Sequence, residues 1–174
     1  MFSSRGALEP ALVEPAPAAS IPWTRAVSDL RALREVVELR IALDLSVAEQ
    51  LTDLYRDTEN PELEGLVEEM RALASEGKPF PAADAVFHTA LFARLPNRLL
   101  RQLAQAFWEI HTEAVPLLGL PPAEDILVTV DAHRDMLDAL EAGDAEAYRE
   151  AVIEHYRPLG RVLQAAATAQ DIAL

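Results

Sequence analysis

The sequence predicts an all-α domain, an antiparallel bundle of about six helices, on three observations. Ala and Leu dominate the 51% of the 174 residues that are hydrophobic, while Val, Ile and Thr rarely cluster or alternate, a balance that favours helix over strand. Apolar residues recur at steps of three and four, the period of a helix with one buried face. Proline, glycine and capping residues interrupt those runs at short intervals, so that neighbouring helices are joined by short loops. A chain of this length fits one domain with a sizeable core.

Residues 1–22 read as a tail or linker, because Pro10, Pro15, Pro17 and Pro22 are spread through an Ala- and Ser-rich stretch and deny it a regular helix. Residues 23–174 then form the helical domain. Helical periodicity begins near Thr24, and a long first helix runs through Leu30, Leu33, Val37, Ile41 and Leu45 to about Asp57, with Ser46 as a place where it could break. Asn60-Pro61 stops it. The second helix carries Leu63, Leu66, Val67, Met70 and Leu73 and ends at Gly77, and the third lies between Pro81 and Arg94. The fourth is capped by Asn97, carries Leu100, Leu103, Phe107 and Ile110, and meets Pro116 at its end. The fifth follows Pro121-Pro122 with Ile126, Val130, Leu137 and Leu140; Gly143 closes it and Asp144 caps a sixth that reaches about Ala169. Both roles suit those residue types, since glycine tolerates the left-handed turn after a helix and aspartate accepts from free N–H groups.

Charge narrows the function. The chain has 29 acidic against 15 basic residues, a formal charge of −14, and no basic cluster. Nucleic-acid backbones need basic surface to release counterions, so direct binding of DNA or RNA by these residues is not expected. No apolar run approaches the length of a membrane span, and residues 1–22 lack the apolar core of a secretion signal. With no cysteine there is neither disulfide nor thiolate ligand. A cytoplasmic protein is expected.

The informative anomaly is polar residues on apolar stripes. In the fifth helix positions 126, 130, 133, 137 and 140 step by four and three, and the middle one is His133. In the sixth, Tyr148, Val152, His155, Leu159 and Val162 repeat the pattern, again with histidine at the centre. On the third helix Asp84 and His88 lie one turn apart on the side of Phe87 and Leu91. One aspartate and three histidines from three helices are thus expected to face one interior. A buried carboxylate is costly unless paired or metal-bound. A divalent cation would satisfy all four groups, and a metal-free hydrogen-bonded cluster is the alternative. His111, beside the Phe107 face, is a candidate cavity-lining residue, with a partly exposed helix surface as its other placement.

Several segments carry a family resemblance: Glu38-Leu39-Arg40-Ile41-Ala42-Leu43-Asp44, then Ala83-Asp84-Ala85-Val86-Phe87-His88-Thr89-Ala90-Leu91. Asp131-Ala132-His133-Arg134-Asp135-Met136-Leu137-Asp138-Ala139-Leu140, Ala142-Gly143-Asp144-Ala145-Glu146-Ala147 and Glu154-His155 follow in order. Over about residues 30–165 the chain resembles the FCD domain, the C-terminal ligand-binding domain of FadR-type GntR transcription regulators. It departs from the family pattern at Ala132, where an acidic residue is usual, and in having Asn97 after Pro96 rather than before a proline. Such regulators carry a winged helix-turn-helix domain N-terminal to this one, and no such domain is read in these residues. The chain is therefore expected to be a fragment, a misassigned start or a stand-alone derivative.

The resemblance implies a helical bundle with a divalent metal (Zn, Ni or Mn) held by Asp84, His88, His133 and His155 at the floor of a central cavity, and a homodimer. Asp84 neutralises one of two metal charges, so the site should attract a small organic acid. Arg40 resembles the family's first-helix arginine and is expected to clamp that carboxylate, against the alternative of a surface arginine paired with Asp44. DNA would be reached only through the winged helix-turn-helix domain. A stand-alone metal-dependent enzyme on the same scaffold is the alternative function, with His111 as its one candidate acid or base.

Overall fold

The computed structural model describes residues 29–120 and 126–170. The expected tail, residues 1–22, lies outside them. Seven helices form the described chain: α1 Leu30–Ser46, α2 Ala48–Tyr55, α3 Pro61–Ser75, α4 Pro81–Ala93, α5 Arg98–Leu117, α6 Ile126–Ala142 and α7 Ala145–Ala169. No strand occurs among the described residues. The long first helix of the sequence reading is two helices, with the break at Val47, one residue past Ser46.

Each boundary has a local cause. Asp29 Oδ1 accepts from the N–H of Ala32 and starts α1. Pro61 and Pro81 occupy first-turn positions of α3 and α4, where proline's missing N–H leaves nothing unsatisfied. Asn97 caps α5 by accepting from Leu99 and Leu100 N–H. Pro116 sits in the last turn of α5. Between α6 and α7 the chain reverses at Gly143, whose φ of +69° is left-handed, and Asp144 accepts from the N–H groups of Glu146 and Ala147. This tight turn lays α7 back along α6, the most extensive pairing among the described helices.

The core runs through all seven helices and includes Leu33, Leu51, Val67, Met70, Phe87, Leu91, Met136, Leu137, Leu140 and Val152, each essentially without solvent contact. Asn60, expected only as a stop, is buried. It donates to Glu141 Oε1 at 2.8 Å and accepts from Arg94 Nη2 at 2.6 Å, tying the α2–α3 turn to α6 and to the end of α4. Four stripe positions are corrected. Leu103 is exposed on α5. On α7, which contains Pro158, burial passes from the Val162 position to Leu163. On α1, Ile41 and Leu45 are only half-buried, because the inward face continues from Leu33 and Val37 to Arg40 and Asp44.

Candidate metal centre

Three helices bring together four side chains able to ligate a metal ion. α4 supplies Asp84 and His88 one turn apart, α6 supplies His133 and α7 supplies His155. One candidate ligand atom from each lies within 4.8 Å of all the others. The three histidines are buried and Asp84 nearly so, its side chain 16% exposed. The α6–α7 turn sets this register, since His133 precedes Gly143 and His155 follows it at similar separations and their rings meet at 4.5 Å. Phe87 and Phe80 meet the His133 ring edge to face at 4.9 and 6.4 Å, forming an apolar wall that fixes its plane.

The hydrogen bonds define where lone pairs point. His133 Nδ1 lies 2.7 Å from the carbonyl oxygen of Thr129. A carbonyl only accepts, so Nδ1 carries a proton and donates; a carboxylate also only accepts, so the 2.8 Å approach of Nε2 to Asp84 Oδ1 needs a second ring N–H or a cation between the two atoms. An imidazole oriented by a backbone carbonyl, with its other nitrogen beside a carboxylate, is the usual posture of a metal-ligating histidine. His88 Nε2 stands 3.5 Å from the same Asp84 oxygen, too far for a hydrogen bond. His88 Nε2 and His155 Nδ1 are buried without any hydrogen-bond partner. Such orphaned nitrogens are unfavourable in a closed interior. A divalent cation would resolve this, so the residues present fit a metal.

Electrostatics agree. Burial pushes the Asp84 carboxyl up, but the hydrogen bond from His133 and the approach of His88 outweigh it and hold it well below the usual carboxylate range. Burial lowers His88. Burial, reinforced by repulsion from His133 and His88, pushes His155 well below its ordinary value. Both are therefore neutral at pH 7, the form that offers nitrogen lone pairs.

Arg40 is not at the surface. It is 3% exposed, and its guanidinium lies 3.7 Å from the centroid of the Trp108 ring and 5.2 Å from that of Tyr156. Its two terminal nitrogens hydrogen-bond to nothing. The surface pairing with Asp44 is thus corrected: Asp44 is also buried and takes its hydrogen bond from the Tyr156 hydroxyl at 2.7 Å. Burial pushes the Asp44 carboxyl up, opposed by His88, Tyr156 and Arg40. His111 is half-buried, meets the Trp108 ring edge to face at 5.4 Å, and has a buried Nδ1 without a partner. Burial, with help from Arg40, lowers it to about 4.

Arg40, Asp44, Phe92, Phe107, Trp108 and Tyr156 are among the residues that line a small cavity of about 10 Å³, the room of one water molecule. Trp108 connects this cavity to the ligand cluster, because the His88 ring also stacks on it at 4.7 Å. Asp44, Trp108 and Tyr156 were not singled out as site residues from sequence. Arg40 and Asp44 do continue the four- and three-residue steps of Leu33 and Val37, which is the signal that two charges occupy core positions.

The family model for the FCD domain matches residues 35–158. The chain belongs to the FCD domain family. Among relatives of this FCD domain, NedR of Micromonospora viridifaciens, named for transcriptional regulation, is 41% identical over 59% of the chain and 74% of NedR. A Paenarthrobacter nicotinovorans protein, named as a transcriptional repressor of a D-xylose utilization operon, is 30% identical over 71% of the chain, and that match spans 54% of the repressor's length. No solved structure matches. No described helix is long and apolar enough to cross a membrane.

Proposed function

We propose that this FCD domain is the effector-sensing part of a GntR-type transcription regulator. In this reading a small organic acid binds between a divalent metal, held by Asp84, His88, His133 and His155, and the Arg40 guanidinium. The observation that carries the reading is the pairing of two deficits. Buried nitrogens of His88 and His155 lack partners, and so does a buried guanidinium nearby, joined to them through Trp108. A cation answers the first deficit and a carboxylate the second. Bound there, Zn, Ni or Mn would supply a residual positive charge beyond what Asp84 neutralises, and this donor set suits all three.

The chain's own residues do the rest. Arg40 presents two donors in a planar fork that matches a carboxylate. Trp108 and Tyr156 shield it from water. His111 lines the approach beside Trp108 and can donate to or accept from the acid. The cavity of about 10 Å³ is too small for a multi-atom acid. Entry therefore displaces Trp108 and, with it, α5, which packs chiefly on α1 and α4. A ligand that favours the displaced arrangement shifts the domain toward it. In a homodimeric regulator that shift would change the spacing of DNA-binding domains elsewhere in the protein. The names of the two relatives support a regulatory role.

Isothermal titration with a panel of small carboxylates, on metal-loaded and chelator-treated protein, tests the reading. Binding is expected only to the metal-loaded form. Failure of the whole panel to bind fully metallated protein would overturn it.

A further inference from the structure

The cavity beside the ligand cluster holds a buried cation and a buried anion that do not join. Arg40 and Asp44 sit one turn apart on the inward face of α1, 3% and 5% exposed. At that spacing an arginine and an aspartate can meet readily. Here the guanidinium lies over Trp108 with both terminal nitrogens unpartnered, and Asp44 Oδ2 accepts from the Tyr156 hydroxyl at 2.7 Å. Because α1 and α7 clasp Asp44 in this way, its carboxylate is held in place at the cavity wall rather than free to neutralise Arg40. Two opposite charges left apart in one cavity are costly unless a third group connects them. That group must accept from Arg40 and donate to Asp44.

We propose that Asp44, oriented by Tyr156, is a specificity-determining residue that reads a hydroxyl on the effector, making the site selective for hydroxycarboxylates over simple carboxylates, dicarboxylates and amino acids. The inference rests on the carboxylate-sensing reading above and adds a second contact to it. A buried carboxylate can accept from a hydroxyl, a neutral donor, and a ligand lacking it would leave the desolvated Asp44 with the Tyr156 hydroxyl as its hydrogen-bond donor and no second one from the ligand. A second carboxylate would face Asp44 with like charge. An ammonium group would satisfy Asp44 but would lie beside Arg40 and a metal cluster of residual positive charge, so the electrostatics favour the neutral donor. The remaining walls, Phe92, Phe107 and Trp108, are aromatic and suit the carbon skeleton between the two polar ends.

The test is calorimetric titration of the metal-loaded full chain with one four-carbon series: butanoate, its 2-, 3- and 4-hydroxy derivatives, 3-aminobutanoate and butanedioate. At least one hydroxy isomer should bind about 10- to 100-fold more tightly than butanoate, the range for a hydrogen bond to a charged group. Asp44→Ala should abolish that preference, weakening the hydroxy isomers relative to butanoate, with metal content unchanged. Asp44→Asn, which keeps an acceptor for Tyr156 and so guards against misfolding, should narrow the preference and improve butanedioate binding. Equal affinity for butanoate and all hydroxy isomers overturns this inference and leaves the carboxylate reading standing. The same holds if the amino acid or the diacid binds best, or if the hydroxyl preference survives in both variants. No binding by any member overturns both readings.

Discussion

At the scale of single residues, the site is defined by groups that are buried before they are satisfied. His88, His111 and His155 each keep a nitrogen without a partner, and Arg40 keeps two. Two outcomes follow from their chemistry. Arg40→Lys keeps the charge but loses the planar fork, so carboxylate affinity should fall about tenfold or more with metal content unchanged, as titration and elemental analysis would show. The second concerns acid. Burial lowers His88 and His155, and lowers His111 to about 4. The unfolded chain takes up protons near pH 6.5 that the folded one refuses. Their contribution to stability is therefore complete above that value and is lost as the pH falls toward the folded values. The urea midpoint of chelator-treated protein should decline steadily from pH 7 to 4.5; a flat profile would contradict the burial of these rings.

At the scale of elements, helix order and turns position the chemistry. The α6–α7 reversal places His133 and His155 face to edge, and it depends on a left-handed residue at 143. Gly143→Ala should lose about 1–2 kcal/mol to the left-handed backbone. The added Cβ would also meet the Arg56 guanidinium at 2.5 Å, a flexible group that can move aside. Urea denaturation would measure the stability loss, and a parallel fall in metal affinity would show that the turn sets the ligand register. These elements were largely legible in the sequence, because caps and breakers act locally: Asn97, Pro61, Pro81, Gly143 and Asp144 all do what their chemistry suggests. The histidines of α6 and α7 were legible for a different reason, as polar residues at the centre of apolar stripes. Arg40 and Asp44 occupy core positions on α1 in the same way, yet the i, i+4 spacing of opposite charges reads equally well as a surface ion pair. Only the packing of Trp108 and Tyr156 across that face separates the two readings, and those contacts are between residues far apart in sequence.

At the scale of the whole molecule, seven helices share one core, and the ligand cluster joins α4 to the α6–α7 pair through side chains. A cation bound there would add a direct link between α4 and the α6–α7 pair to the ring contacts and the His133–Asp84 approach. Metal that binds the folded chain alone stabilises it by mass action, roughly 2.7 kcal/mol at a hundredfold excess over Kd. For a domain of this size that is a rise in Tm of about 5–10 °C. Scanning calorimetry of chelated and reloaded protein would show it, and an unchanged Tm would argue that the cluster is a metal-free polar core.

Elemental analysis of the purified protein, after reloading with a divalent metal and removal of free ions, bears most directly on the site. One bound ion per chain is expected for the natural sequence, and none for the variant carrying Asp84→Ala, His88→Ala, His133→Ala and His155→Ala together. A natural chain that retains no ion, or a quadruple variant that retains as much, would contradict the metal centre and the effector site built upon it.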